Sequence, residues 1–188
     1  PPEGGETENK MDLKGSKTWD NLQAAFAGES MARTKYTFYA SRAKKDGYNR
    51  IADIFLETAE NEKEHAKIWY KLLGGIGDTE KNLAEAAKGE HAEWSEMYKE
   101  FAETARAEGF GEIAELFEGV ASVEKHHDER YSRVLESLEK GVVFERDGVI
   151  VWKCMNCGYL HTAKEAPAVC PVCAHPRSYF MPNSESDY

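Results

Sequence analysis

Proline is absent from residues 3 to 166, so no ring interrupts a helical hydrogen-bond ladder there and helix can run through the whole stretch. Cysteine is absent before residue 154, which leaves the long N-terminal part without thiols for disulfides or sulfur-ligated metals. No apolar run approaches the roughly 20 residues that a membrane span needs. The opening residues Pro1, Pro2, Glu3, Gly4, Gly5 and Glu6 lack the basic, then apolar pattern of a signal peptide. A cytoplasmic protein with no membrane partner is therefore expected. Positive charge is scarce too: 24 Lys and Arg stand against 34 Asp and Glu, a formal net charge of −10. Such a surface repels a phosphate backbone and releases no counterions, which argues against nucleic acid as a partner. What is present is 41% hydrophobic and 31% charged residues in a chain of 188, enough for one ordinary soluble domain and a small appendage.

Glycine punctuates the proline-free stretch at Asp46-Gly47, at Gly74, Gly75 and Gly77 before Asp78-Thr79, at Gly109 to Gly111, and at Gly141. Four long helices are predicted between these points, with Thr18 and Thr79 as N-caps and Gly74 and Gly141 as C-terminal stops. From Val142 onward the pattern changes to short β-branched and aromatic runs, and all four cysteines and four of the six prolines lie there. The predicted organisation is an extension over 1–15, read as disordered, an all-α four-helix bundle over 16–144, and a small β-rich domain over 145–188 that ends in a short polar tail. The helical part also repeats itself. Tyr36, Gly47, Ile51, Phe55, Glu62 and His65 recur as Tyr98, Gly109, Ile113, Phe117, Glu124 and His127, whereas Ala25 to Glu29 recurs as Ala86 to Glu90 with one residue less of offset. The second copy thus carries one extra residue between Glu90 and Tyr98, which a π-bulge can absorb.

Chemistry enters through carboxylates on the apolar face. The second helix reads Ile51, Phe55, Thr58, Glu62, His65, Trp69, Leu72, and the fourth reads Ile113, Phe117, Val120, Glu124, His127, Tyr131, Val134, Leu138, both in the 4-3 spacing of a core-facing stripe. Glu29 falls on the stripe of the first helix, and Glu90 and Glu93 on that of the third. Burying one unpaired carboxylate costs several kcal/mol, so five together need a compensating cation, and no Lys or Arg occupies the matching stripe positions. Two Glu-x-x-His helices plus a Glu from each of two others is a dinuclear iron or manganese arrangement of ferritin-like bundles. Glu64, Glu96, His91 and His126 project to other faces and are read as solvent groups. In the C-terminal part, Cys154 and Cys157 face Cys170 and Cys173 as two Cys-x-x-Cys turns, a four-sulfur cage for zinc or a single iron. The spacing does not separate these metals, and a disulfide pair suits a cytoplasmic chain poorly.

Taken with these motifs, the chain resembles the rubrerythrins, in which a ferritin-like di-iron bundle precedes a rubredoxin-like Fe(Cys)4 domain. The resemblance covers about residues 12 to 182. It rests on Ala27-Gly28-Glu29-Ser30, Glu62-Lys63-Glu64-His65, Gly89-Glu90-His91-Ala92-Glu93, Glu124-Lys125-His126-His127 and both cysteine pairs. It implies that Glu29, Glu62, His65, Glu90, Glu93, Glu124 and His127 bind two irons, with zinc as a substitute, and that Cys154, Cys157, Cys170 and Cys173 bind one more. It also implies a peroxidase that reduces hydrogen peroxide to water with NAD(P)H-derived electrons, delivered by a separate reductase or rubredoxin and relayed through the four-sulfur centre. Tyr36 and Tyr98 match tyrosines that hydrogen-bond the ligand carboxylates, and an ordinary role as core aromatics fits them equally. Glu93, the ligand without a counterpart in the repeat, is expected to exchange with His65 as the site changes charge. Two other readings use the same residues: an iron-storing ferroxidase, and a zinc-ribbon interaction module on a structural metal bundle.

Assembly is legible in one loop. About five residues separate the second helix from the third and reach at most roughly 18 Å, whereas a 25-residue helix is about 37 Å long. The ferritin-like fold runs these two helices parallel, and this loop is too short for the return. With the family's site geometry retained, a helix-swapped homodimer, in which the first hairpin of one chain meets the second hairpin of another, is the expected solution. An up-down-up-down monomer would also bring Glu62 and Glu90 to similar heights.

Overall fold

The computed structural model describes residues 13–184. Residues 1–12 and 185–188, most of the expected extension and the end of the tail, lie outside the described residues, and Leu13 to Gly15 turn into the first helix. Contacts divide the chain after Gly77 into two units.

The first unit is one helical hairpin, α1 (Lys17–Lys45) and α2 (Asn49–Leu72). Ser16 caps α1 by accepting a hydrogen bond from the Trp19 backbone N–H at 3.1 Å, so the expected cap Thr18 lies inside the helix. The turn at Asp46-Gly47 places Gly47 at φ +85°, and the Tyr48 N–H then reaches the Ala43 carbonyl at 2.8 Å. Between α1 and α2 lies a seam of buried alanines, Ala40, Ala43, Ala52, Ala59 and Ala66. Small side chains let two helix backbones approach, and the larger apolar residues are left on either flank. The predicted inner stripe is accordingly only part-buried within this unit: Phe55 and Trp69 are half-covered, but Ile51 remains 46% exposed and Leu72 55%.

The second unit repeats the hairpin. α3 (Thr79–Ala92) passes through a π-helical turn, Glu93–Met97, into α4 (Tyr98–Ala107), and α5 (Gly111–Glu139) returns alongside. The π-turn lies in the interval where the repeat demanded an extra residue. Asp78 rather than Thr79 caps α3, accepting from the Lys81 N–H at 2.9 Å, because its carboxylate sits one residue earlier at the right reach. Gly74 and Gly141 end their helices at φ +70° and +69°, as predicted. The internal details match the first hairpin closely. The Phe110 N–H meets the Ala105 carbonyl at 2.8 Å, Ala102, Ala105 and Ala114 form the buried seam, and Ile113 is again 46% exposed.

Beyond α5 the chain forms a three-stranded antiparallel sheet in the order β2-β1-β3, from β1 (Glu145–Cys154), β2 (Leu160–Glu165) and β3 (Phe180–Pro182). Trp152 pairs with His161 on one side and Pro182 on the other. A small core of Trp152, Cys154, Ala166, Cys170 and Phe180 closes it. The described residues are helical through four long helices in two hairpins, the third helix running through the π-turn, followed by a small β-rich domain. No described helix is long and apolar enough to cross a membrane.

Candidate metal centres

Each hairpin gathers one trio of ligands. In the first, Glu29 on α1 and Glu62 and His65 on α2 hold their ligand atoms within 4.8 Å of one another, with His65 Nδ1 2.9 Å from Glu62 Oε2. In the second, Glu90 on α3 and Glu124 and His127 on α5 do the same, with His127 Nδ1 2.7 Å from Glu124 Oε2 and 3.6 Å from Glu90 Oε2. The i, i+3 spacing puts each Glu and His on one helix face, and the facing helix adds the remaining carboxylate. Burial, a hydrogen bond shared with Glu124, and the charges of Glu124 and Glu93 push the Glu90 carboxyl above its ordinary value. Tyr98 is pushed up by burial and by the negative charge of Glu93, Glu124 and Glu90. Carboxylates held this close disfavour one another's ionised forms unless a cation sits among them. A donor set of carboxylate oxygen and imidazole nitrogen suits a divalent metal such as iron.

The remaining predicted residues are placed less symmetrically. Glu93 stands on the π-turn and belongs to neither trio among the described residues, though its charge reaches Glu90 and Tyr98. Tyr36 packs on Phe55 with ring centroids 6.1 Å apart, and Tyr98 packs on Phe117 at 6.0 Å. His91 is 59% exposed, as its helical face suggested, and it also reaches across to α5. Its Nδ1 lies 2.9 Å from Asp128 Oδ2, and the Trp94 indole N–H donates to that same oxygen at 2.9 Å. Asp128 and Trp94 were not singled out from the sequence. Each directly follows a proposed ligand, and Ala66 holds the position of Asp128 in the first copy, but no spacing in the sequence joins the two.

The cysteines form a cage. Cys154 and Cys173 Sγ are 3.7 Å apart, as are Cys157 and Cys170, and all four are free thiols. A tetrahedron with metal–sulfur bonds of about 2.3 Å has edges of about 3.8 Å. Matched turns build the two halves: the Gly158 N–H donates to the Cys154 carbonyl and the Ala174 N–H to the Cys170 carbonyl, both at 2.9 Å. The His175 backbone N–H leads the effects that draw the Cys173 thiol down to about 6. At Cys157 a bond from the Tyr159 backbone is outweighed by desolvation and by hydrogen bonds to the other three sulfurs, and the thiol is pushed up to about 12. Four sulfurs cannot all ionise without a cation, and a coordinated thiol ionises outright.

Fold and sites together define a non-haem metalloprotein of the ferritin-like class with a rubredoxin-like appendage. The rubrerythrin family model matches residues 20–135 and again 81–150, and the model of the family's rubredoxin-like domain matches residues 152–181. Rubrerythrin of Porphyromonas gingivalis is 52% identical, covering 94% of each chain. Rubrerythrin-1 of Clostridium acetobutylicum is 50% identical, covering 93% of this chain and 98% of its own, and rubrerythrin of Nitratidesulfovibrio vulgaris is 45% identical, covering 89% and 95%. This chain belongs to the rubrerythrin family. Its Glu and His trios are candidate ligands of the di-iron carboxylate site and its four cysteines form the rubredoxin-like site, as befits an oxidoreductase of this family.

Proposed function

We propose that the protein is a non-haem di-iron peroxidase that reduces hydrogen peroxide to two waters, using two electrons and two protons, in the cytoplasm. NAD(P)H is the ultimate donor through a separate reductase or rubredoxin. The observation that carries this reading is the presence, in one chain, of two carboxylate–histidine trios and a four-thiolate cage. An iron pair held by the two trios would supply the two electrons that peroxide reduction requires, and an iron held by Cys154, Cys157, Cys170 and Cys173 would supply one-electron transfer. Glu29, Glu62, Glu90 and Glu124 bring a charge of about −4, which neutralises two ferrous ions, and His65 and His127 complete the set. Glu93 would bring the further negative charge that an oxidised iron pair would need in a low-dielectric interior, in exchange with His65. Tyr36 and Tyr98 orient the carboxylates.

The homodimer belongs to the same proposal. Each hairpin holds one trio and leaves large apolar side chains exposed, and residues 73–78 are too few to return along the roughly 36 Å of α2. The connector is also tightly built: a Cβ at Gly75 would stand 2.1 Å from the Tyr70 ring. A second chain supplies the complementary hairpin.

Metal analysis and a visible spectrum of the full chain purified without added metal should show about three irons per chain with thiolate-to-iron bands; one zinc and no colour refutes the reading. Cys170→Ser should abolish NAD(P)H-coupled peroxide consumption, while the chemically reduced variant still reacts once with peroxide. Retained coupled turnover would remove the relay.

A further inference from the structure

The π-turn is held from outside, and the way it is held follows the ligands residue by residue. Trp94, its second residue, donates its indole N–H to Asp128 Oδ2 at 2.9 Å. His91, one turn earlier, meets the same oxygen at 2.9 Å, and Ser132 Oγ donates to Oδ1 at 3.2 Å. An ionised carboxylate only accepts, so His91 Nδ1 is the donor in this contact. The Trp94 ring is enclosed further by the His91 ring, edge-on with centroids 5.1 Å apart, and by Lys125 Nζ, 5.4 Å from the centroid. His91, Trp94, Lys125 and Asp128 each directly follow a proposed ligand, namely Glu90, Glu93, Glu124 and His127. Successive residues point about 100° apart on a helix, so this network lies on the flank next to the trio and shares a peptide bond with every member of it.

The first hairpin supplies the contrast. Ser30, Lys63, Ala66 and Tyr70 hold the positions of His91, Lys125, Asp128 and Ser132. The Ser30 hydroxyl donates to its own helix at the Phe26 carbonyl, 2.7 Å away, and Ala66 offers no acceptor. A groove of about 440 Å³ opens there. No residue is inserted in that hairpin. The polar network therefore accompanies the π-turn, whose i→i+5 hydrogen bonds are a poorer hold on the backbone than a regular helix provides.

We propose that the Trp94–Asp128–His91 network positions the site, fastening the π-turn to α5 and so setting where Glu93 stands relative to Glu90, Glu124 and His127. The inference rests on the di-iron reading above. It makes Trp94 and Asp128 positioning residues, acting through Glu93 without touching metal or peroxide. Charge-assisted hydrogen bonds give the fastening its strength, and two donors on one oxygen give it a direction.

Amide hydrogen exchange on the full chain, metal-free and iron-loaded, tests this together with the absorption of the oxidised iron pair. Trp94→Phe keeps a ring but removes the donor, and Asp128→Ala removes the acceptor. Both should speed exchange across residues 93–98 at least tenfold, leave α1 and α2 within twofold, and shift the absorption of the iron pair. Asp128→Asn retains one carbonyl acceptor and should recover most of the protection. Unchanged exchange at 93–98, an unshifted spectrum, or equal acceleration throughout α3 and α5 would overturn the proposal. Absence of an iron pair in the unsubstituted chain would instead refute the di-iron reading, and the metal-free exchange would still report whether the network holds the turn.

Discussion

In the first hairpin the Tyr39 and Phe55 rings lie 5.6 Å apart, and in the second the Phe101 and Phe117 rings lie 5.6 Å apart. Ala52 and Ala114 are both fully buried, and each hairpin turns on a glycine near φ +86°. The two copies agree in seam, turn and trio. They differ at one inserted residue and on the flank beside it, where the second hairpin carries a π-turn, Glu93 and a polar network, and the first carries Ala66 and an open groove. One insertion thus makes two near-identical halves chemically unequal, because it brings a fifth carboxylate to one half alone.

The largest expected effect breaks the equality of the halves by disabling each in a different chain. Glu62→Ala and Glu124→Ala chains should each lack peroxidase activity, yet when refolded together they should regain roughly a quarter of it. Half of the dimers then pair the two chains, and each of those holds one intact composite site. No recovery, or a fully active monomer by sedimentation, would refute the swap.

Overpacking the seams sharpens the comparison. Ala52→Leu and Ala114→Leu should each cost about 1–3 kcal/mol in denaturant unfolding of the metal-free chain, and the two costs should agree. A large disparity would mean that the shared seam is packed differently in the two copies.

The charges of the second trio give a smaller effect with a defined sign. Glu90 has its folded pKa raised, so its ionised form is disfavoured by the fold. That penalty is fully present above the folded pKa and disappears below the ordinary value of 4.5. Metal-free Glu90→Gln should therefore melt higher than the parent at pH 7 and equally at pH 3.5, and iron should reverse the order at pH 7. Melting curves at the two pH values check it.

The smallest effect comes from the other repeated element, the cysteine turns. Gly158 follows Cys157 at φ +77°, and Ala174 follows Cys173 at φ +57°. A left-handed alanine costs about 1–2 kcal/mol, and glycine loses about 0.5–1 kcal/mol in chain entropy. Ala174→Gly should stabilise the small domain by about 0.5–1 kcal/mol in thermal unfolding, and a loss of stability would show that the Ala174 methyl packs usefully.

The sequence by itself determined everything carried by spacing. The 62-residue offset, the 4-3 placement of Glu62 with His65 and Glu124 with His127, and the two Cys-x-x-Cys pairs are local statements about helix faces and turns, and periodicity alone sets them. The extra residue between Glu90 and Tyr98 was countable, so the π-turn was legible too. Cap positions were misplaced by one or two residues because Ser16 and Asp78 compete with Thr18 and Thr79 for the same N–H groups, and only reach decides between them. The alanine seam was hidden because a helix with apolar residues on two flanks does not announce which face its partner will choose; backbone approach chose the small one. The network of His91, Trp94 and Asp128 was decided by tertiary structure alone, since it joins residues 34 and 37 positions apart. Each of these is an ordinary surface residue on its own helix, and the hydrogen bonds exist only once α3 and α5 are packed side by side.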